Sequence, residues 1–216
     1  MSAPLFLDAA REGNNARLAE LLASDPTLLE ARNELGQSAV MLAKYHRQPG
    51  AVEFLLAAGA ALNLYEACAV GALEKVKEHL ASRSRHMDSH APDGFTPLTL
   101  AAFFGNLQVA RHLIDQGANI NLAASNHMKV APVHAAAAGG HFRILELLVQ
   151  NGADVNQPQQ QGWRPLHAAA QNGDEPAVRL LLSAGANRQT RADNGQTPLD
   201  LAMTRGHAVI ASLLES

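Results

Sequence analysis

Ten histidines stand among the 216 residues of this chain, and three of them fall where a metal-ligand set would be sought first. His86, Asp88 and His90 form a His-x-Asp-x-His string, with His127 on a later loop. Imidazoles and carboxylates are zinc ligands. The string lies in a segment with no periodic element to fix its geometry, so spacing alone builds no tetrahedral site and no metal is expected. A calorimetric zinc titration that gave heat would overturn that expectation. Cys68 is the only cysteine, which excludes an internal disulfide. A catalytic thiol needs a low pKa and a base partner. Neither is supplied by the run Glu66-Ala67-Cys68-Ala69-Val70, so Cys68 reads as a small buried residue. No phosphate loop, nucleophile elbow or paired-carboxylate site is present, and the chain is not expected to be an enzyme or to carry a cofactor.

His134 and His167 belong to a recurring segment. Thr96-Pro97-Leu98-Thr99 returns as Ala131-Pro132-Val133-His134, Arg164-Pro165-Leu166-His167 and Thr197-Pro198-Leu199-Asp200. Each is followed by a glycine: Gly105, Gly140, Gly173 and Gly206, spaced 35, 33 and 33 residues apart. An apolar helix and a Gly-Ala stop come next, as in Gly117-Ala118-Asn119-Ile120-Asn121 and Gly152-Ala153-Asp154-Val155-Asn156. Self-similarity at a fixed period of 20–50 residues is the mark of a solenoid. Each residue type has a local reason. Proline suits the first helical turn, where its missing N–H is not needed. Thr or Ser before it caps the helix, and glycine closes a helix in the left-handed conformation. His134, His167, His141 and His207 are expected to bond backbone between units, a structural role.

The pattern resembles the ankyrin repeat, and the resemblance covers essentially the whole chain. It implies an all-α solenoid of stacked helix-turn-helix repeats with short β-hairpin fingers. Aligning the units places Gly13, Arg47, Gly71, Gly105, Gly140, Gly173 and Gly206 together, at spacings of 34, 24, 34, 35, 33 and 33. Residues 1–216 thus read as one domain of about seven repeats: 1–33, 34–63, 64–91, 92–126, 127–160, 161–193 and 194–216. The first and last serve as caps, because solenoid ends must show a polar outer face.

Two units depart from the period. The 24-residue step leaves no room for a finger between units two and three, which predicts a notch beside Tyr45 and Tyr65. The finger between units four and five is longer, with Ser125-Asn126-His127-Met128 at its tip.

Composition agrees with packed helices rather than a basic nucleic-acid grip. Hydrophobic residues make up 47% of the chain and the net charge is −3, with no basic stripe of the kind that tracks phosphates. No run approaches the ~20 apolar residues of a membrane span, and the N-terminus does not read as a secretory signal. These features point to a cytoplasmic protein, and a monomer is expected.

Ankyrin domains bind mostly through finger tips and inner helices. The resemblance therefore implies a non-catalytic scaffold that holds a protein or peptide on its concave face. Two register positions name the surface: the residue before the Thr-Pro and the two after the Ala-Ala. Only nine aromatic residues exist, and Tyr45, Phe95, Phe103, Phe104 and Trp163 fall there. Met128 and Val130 lie between the rings. The competing reading is that these rings pack on adjacent fingers and only stiffen the row. The resemblance also implies another role, as substrate of an Asn hydroxylase at Asn121 and Asn156, with Asn187 a looser match. An unchanged intact mass after co-expression with such an enzyme would remove it.

Overall fold

The structure, a computed structural model, describes residues 2–82 and 84–215. Met1, Arg83 and Ser216, which fall in the N-terminal, unit-three and C-terminal readings above, lie outside the described residues. Among the described residues the chain forms α1 (Ser2–Glu12), α2 (Asn15–Ser24), α3 (Ala39–Tyr45), α4 (Pro49–Ala57), α5 (Leu64–Val70), α6 (Leu73–Ser82), α7 (Pro97–Phe103) and α8 (Leu107–Asp115). It continues with α9 (Pro132–Ala138), α10 (Phe142–Gln150), α11 (Pro165–Asn172), α12 (Glu175–Ser183), α13 (Pro198–Thr204) and α14 (Ala208–Glu215). The odd-numbered helices pack in series, each on the next, and the even-numbered ones form a second row behind them. The architecture is the all-α solenoid that the repeat implied.

Helix starts follow from the residue types. Thr96 Oγ1 accepts from Thr99 N at 3.1 Å, Ser38 Oγ from Met41 N at 3.3 Å and Thr197 Oγ1 from Asp200 N at 3.2 Å. Ala131 and Arg164 make no such cap. There the histidine ring three residues on reaches back instead: Ala131 N donates to His134 Nδ1 at 3.2 Å and Arg164 N to His167 Nδ1 at 3.1 Å. Between the paired helices every aligned glycine is left-handed, and Arg47 holds the same conformation at φ +56°. A left-handed non-glycine residue costs about 1–2 kcal/mol, of which glycine's extra chain entropy would return part. Arg47→Gly is therefore expected to raise the unfolding free energy by about 0.5–1 kcal/mol. A melting temperature unchanged or lowered would show that the Arg47 side chain contributes more than its backbone costs.

The fingers are not β-hairpins, which corrects the sequence expectation. Among the described residues the only bridge is Arg32 with Ser38. Each of these fingers is closed by one backbone bond across its base, Asn33 N to Gln37 O at 3.0 Å, Ala91 N to Phe95 O at 2.8 Å and Gln159 N to Trp163 O at 2.8 Å, with a turn bond inside it from Gly36 N, Gly94 N or Gly162 N back to the first of those residues. Successive fingers are tied by one more: Ser125 N to Gly94 O, Gln160 N to Met128 O and Asp193 N to Gln161 O. Tight turns of this length leave no room for the consecutive bonds a ladder needs.

The step between units two and three interrupts this order. Buried apolar residues form one cluster from Phe6 to Leu55 and another from Leu64 to Leu214, the latter taking only Met41 from α3. α4 and α6 scarcely touch. With no finger before α5, the finger at 91–95 follows the one at 33–37 directly. Its second residue is Pro92, which has no N–H to donate backwards. Side chains replace that bond: Gln37 Nε2 and Tyr45 Oη both donate to Asp93 Oδ2, at 3.3 and 3.0 Å. Gly36, at φ +71°, is backed against Pro92 so closely that a Cβ there would come within 2.8 Å of the proline Cβ.

Candidate functional site

The register positions converge. Tyr45 ends α3 and Phe103 ends α7, so both rings project from the odd-row helices beneath the fingers. Phe95 and Val130 are the last finger residues before α7 and α9, and Met128 lies in the longer finger. Together with Gln37, Leu42, His46 and Leu100 these residues line an open hollow of about 390 Å³. Tyr45 and Phe103 have ring centroids 6.3 Å apart. Phe104 braces both, edge-on to Phe103 at 5.0 Å and tilted to Tyr45 at 5.5 Å. Phe103 is 44% exposed, far more than a ring packed into the core. Trp163 is half-buried beside His167, with centroids 5.6 Å apart, and lines a neighbouring hollow with Met128, Val130 and Gln159 to Gln161. Met128 and Val130 therefore join the two hollows into one apolar strip.

The expected notch is only half present. The tips of the flanking fingers meet through Gly36, Pro92 and Asp93, so the gap survives below them, beside Tyr45. Tyr65 is absent from that hollow and lines a separate small crevice of the junction with Gly36, Gln37, Pro92 and Asp93, while its hydroxyl bonds Ser89 Oγ at 2.8 Å and donates to His90 O at 3.0 Å. Burial first, and then the charge and hydrogen bond of Asp93, push the Tyr45 phenol well above its ordinary pKa. It stays protonated and anchors the finger. The Lys44 ammonium lies 4.7 Å from the Phe104 centroid, and burial lowers its pKa.

The remaining polar residues are occupied structurally. Asp88 Oδ1 accepts from Asn119 N at 2.9 Å and His90 Nε2 bonds Ala123 O at 3.1 Å, so both tie unit three to the next finger, while His127 is exposed. No group of three or more His, Cys, Asp and Glu residues close enough to hold a metal occurs among the described residues. Cys68 is buried, which pushes its thiol pKa up. His141 Nε2 bonds Phe103 O at 3.0 Å and His207 Nε2 bonds Gln171 O at 3.2 Å, each joining a unit to the one before it. Asn121 and Asn156 bridge consecutive units through both ends of the amide. Asn121 accepts from Asp154 N and donates to Gly152 O, and Asn156 accepts from Asn187 N and donates to Gly185 O.

His134 carries a pH signature. It is 2% exposed, its Nε2 bonds Gln157 O at 2.8 Å, and burial lowers its pKa to about 4. His167 shifts the same way for the same reason, although its Nε2 makes no hydrogen bond. The unfolded ring titrates near 6.5, so the unfolded chain gains a proton that the folded one refuses between those values. Stability present above pH 6.5 is thus lost as pH falls towards 4, by about 2–3 kcal/mol from His134 at pH 4.5. Urea unfolding at pH 7 and 4.5 should show this loss, reduced by a similar amount in His134→Gln. An equal loss in both proteins would clear His134 of the effect.

Sequence reasoning missed two carboxylates. Glu66 stands three residues after its cap, Asn63, as Thr99, His134, His167 and Asp200 stand after theirs, but the glycine register places Tyr65 in that column because α5 is one residue nearer its glycine. Its Oε2 accepts from Asn63 N at 2.8 Å and its Oε1 from Arg32 Nη1 at 2.8 Å. Asp93 carried no signal, since Tyr45 lies 48 residues away.

A family model described as ankyrin repeats matches this chain in three copies, over residues 5–122, 64–159 and 133–216. The chain is 30% identical over 194 residues to an ankyrin repeat and KH domain-containing protein of Caenorhabditis briggsae, covering 72% of this chain and 7% of that protein. It is 33% identical over 96 residues to the human ankyrin repeat and KH domain-containing protein 1, covering 44% of this chain and 4% of the relative. It is 29% identical over 170 residues to the probable 26S proteasome regulatory subunit p28 of Saccharomyces cerevisiae, covering 72% of this chain and 73% of the relative. The chain thus spans only a small part of the KH-containing relatives.

Proposed function

From a chain that belongs to the ankyrin repeat family, we propose a non-catalytic scaffold that holds a protein or peptide partner on its concave face. Ankyrin repeats are in general protein–protein interaction modules. The observation that carries the reading here is the hollow below the fingers, where Tyr45, Phe95 and Phe103 from three different segments meet Met128 and Val130 around an apolar floor. Exposed rings set in a cleft are the residues that dominate binding energy in protein interfaces. The yeast relative, covered over 73% of its length, carries the name probable 26S proteasome regulatory subunit p28. That name associates a chain of this pattern with a protein assembly, which agrees with the proposed role.

The same reading takes 1–216 as one domain of seven units, monomeric and cytoplasmic, with neither nucleic acid nor membrane as partner. Among the described residues no helix is long and apolar enough to cross a membrane. The test is affinity capture with mass spectrometry, run beside a Phe95→Ala, Phe103→Ala variant. A partner captured equally by both proteins would move the binding surface elsewhere.

A further inference from the structure

The charge around the hollow says what kind of segment it takes. None of its lining residues is a carboxylate. The nearest, Asp93, is already engaged by Tyr45 and Gln37. Three cationic residues, Lys44, Arg47 and Lys129, neighbour residues of the hollow. Lys44 lies against Phe104, which braces two of the lining rings. His46 lines the hollow and Arg47 follows it. Lys129 is exposed between the lining residues Met128 and Val130. Among the described residues, the ion pairs of the chain involve other cations, and Lys44, Arg47 and Lys129 face no carboxylate within pairing distance. This local excess runs against a chain whose net charge is −3. The hollow, at about 390 Å³, is at the small end of ligand clefts. It has room for one or two large apolar side chains, with the rest of the ligand lying over the rim.

Building on the docking role above, we propose that the hollow takes a linear acidic peptide segment. A large apolar side chain would sit among Tyr45, Phe95 and Phe103, and flanking Asp or Glu residues would lie over Lys44, Arg47 and Lys129. Complementary rim charges steer and select partners, while the apolar anchor supplies most of the affinity.

The experiment selects displayed random linear peptides on the intact chain and measures the enriched sequences as synthetic peptides. Enriched peptides should place Asp or Glu beside Trp, Phe or Leu. Their binding should weaken about fivefold in Lys129→Glu, whose fold is checked by its melting temperature, and by a similar factor in Lys44→Gln. It should also weaken at high salt, and should vanish in Phe103→Ala. Enriched peptides that need Phe103 but carry no acidic excess, or that ignore both lysine variants, would overturn the acidic assignment and leave the docking face standing. Failure to enrich any peptide that depends on Phe103 would overturn the docking face and this proposal with it.

Discussion

Glu66→Ala is expected to lower the unfolding free energy by about 3 kcal/mol and to draw a single denaturation curve apart into two. Glu66 is 1% exposed, and its partner Arg32 is 41% exposed. Breaking a buried ion pair from one side costs about 3–5 kcal/mol. Here the cost falls at the low end, because the abandoned guanidinium can hydrate. The loss also strips Asn63 N of its acceptor, a capping contribution of about 1 kcal/mol. The location matters as much as the size. Glu66 joins the two halves where the apolar core divides, where α4 and α6 scarcely touch, and where Pro92 removes the backbone bond between fingers. Solenoid stability is a sum over units and their interfaces, so weakening this interface uncouples units one and two from the rest. The chain reports this itself, because its single tryptophan, Trp163, lies beyond the junction. Tryptophan fluorescence follows only the C-terminal block, while circular dichroism follows both. Non-coincident curves in Glu66→Ala, against coincident ones in the parent, are the expected result. Coincident curves with a loss below about 1 kcal/mol would mean that the junction is held by something other than Glu66.

The second large effect is on binding. Phe95→Ala combined with Phe103→Ala should weaken capture of a purified partner by a hundredfold or more, since two anchors at about 2 kcal/mol each give roughly a thousandfold before non-additivity. Phe103 is exposed at the end of α7, so its truncation opens no core cavity. Phe95 is half-buried, and its loss costs about 1 kcal/mol of fold stability. Circular dichroism at working temperature should therefore be unchanged while affinity collapses. Trp163→Ala, in the adjoining hollow, separates the two parts of the strip. A partner confined to the larger hollow loses little by it, whereas one lying along the whole strip loses as much as from Phe95. Affinity retained by the double variant within about threefold would place the binding energy elsewhere.

Much of this was legible one unit at a time. The Thr96-Pro97 start and the left-handed position shared by Gly105 and Arg47 depend on residues close in sequence or one period apart, whereas His134, expected to bond between units, reaches Gln157 within its own unit. The aromatic positions followed from the same register, and five of the seven named residues line one hollow, with Phe104 bracing it and Trp163 beside it. The fingers were misread because the resemblance implied strands, whereas a turn as tight as 91–95 holds one bond across its base and one turn bond within it, with no residues left for a ladder.

Local spacing was therefore sufficient for the period, the helix ends, the turn conformations and the face on which the rings emerge. These are set by propensity and by contacts that repeat with each unit. Closure across the irregular step was decided only in three dimensions. Arg32 meets Glu66 across 34 residues, Tyr45 meets Asp93 across 48 and Gln37 meets Asp93 across 56. No period links those pairs, because the element that would have stood between the fingers is missing. The chain instead brings the flanking fingers together, and that closure leaves the hollow beside Tyr45 while turning Tyr65 away from it.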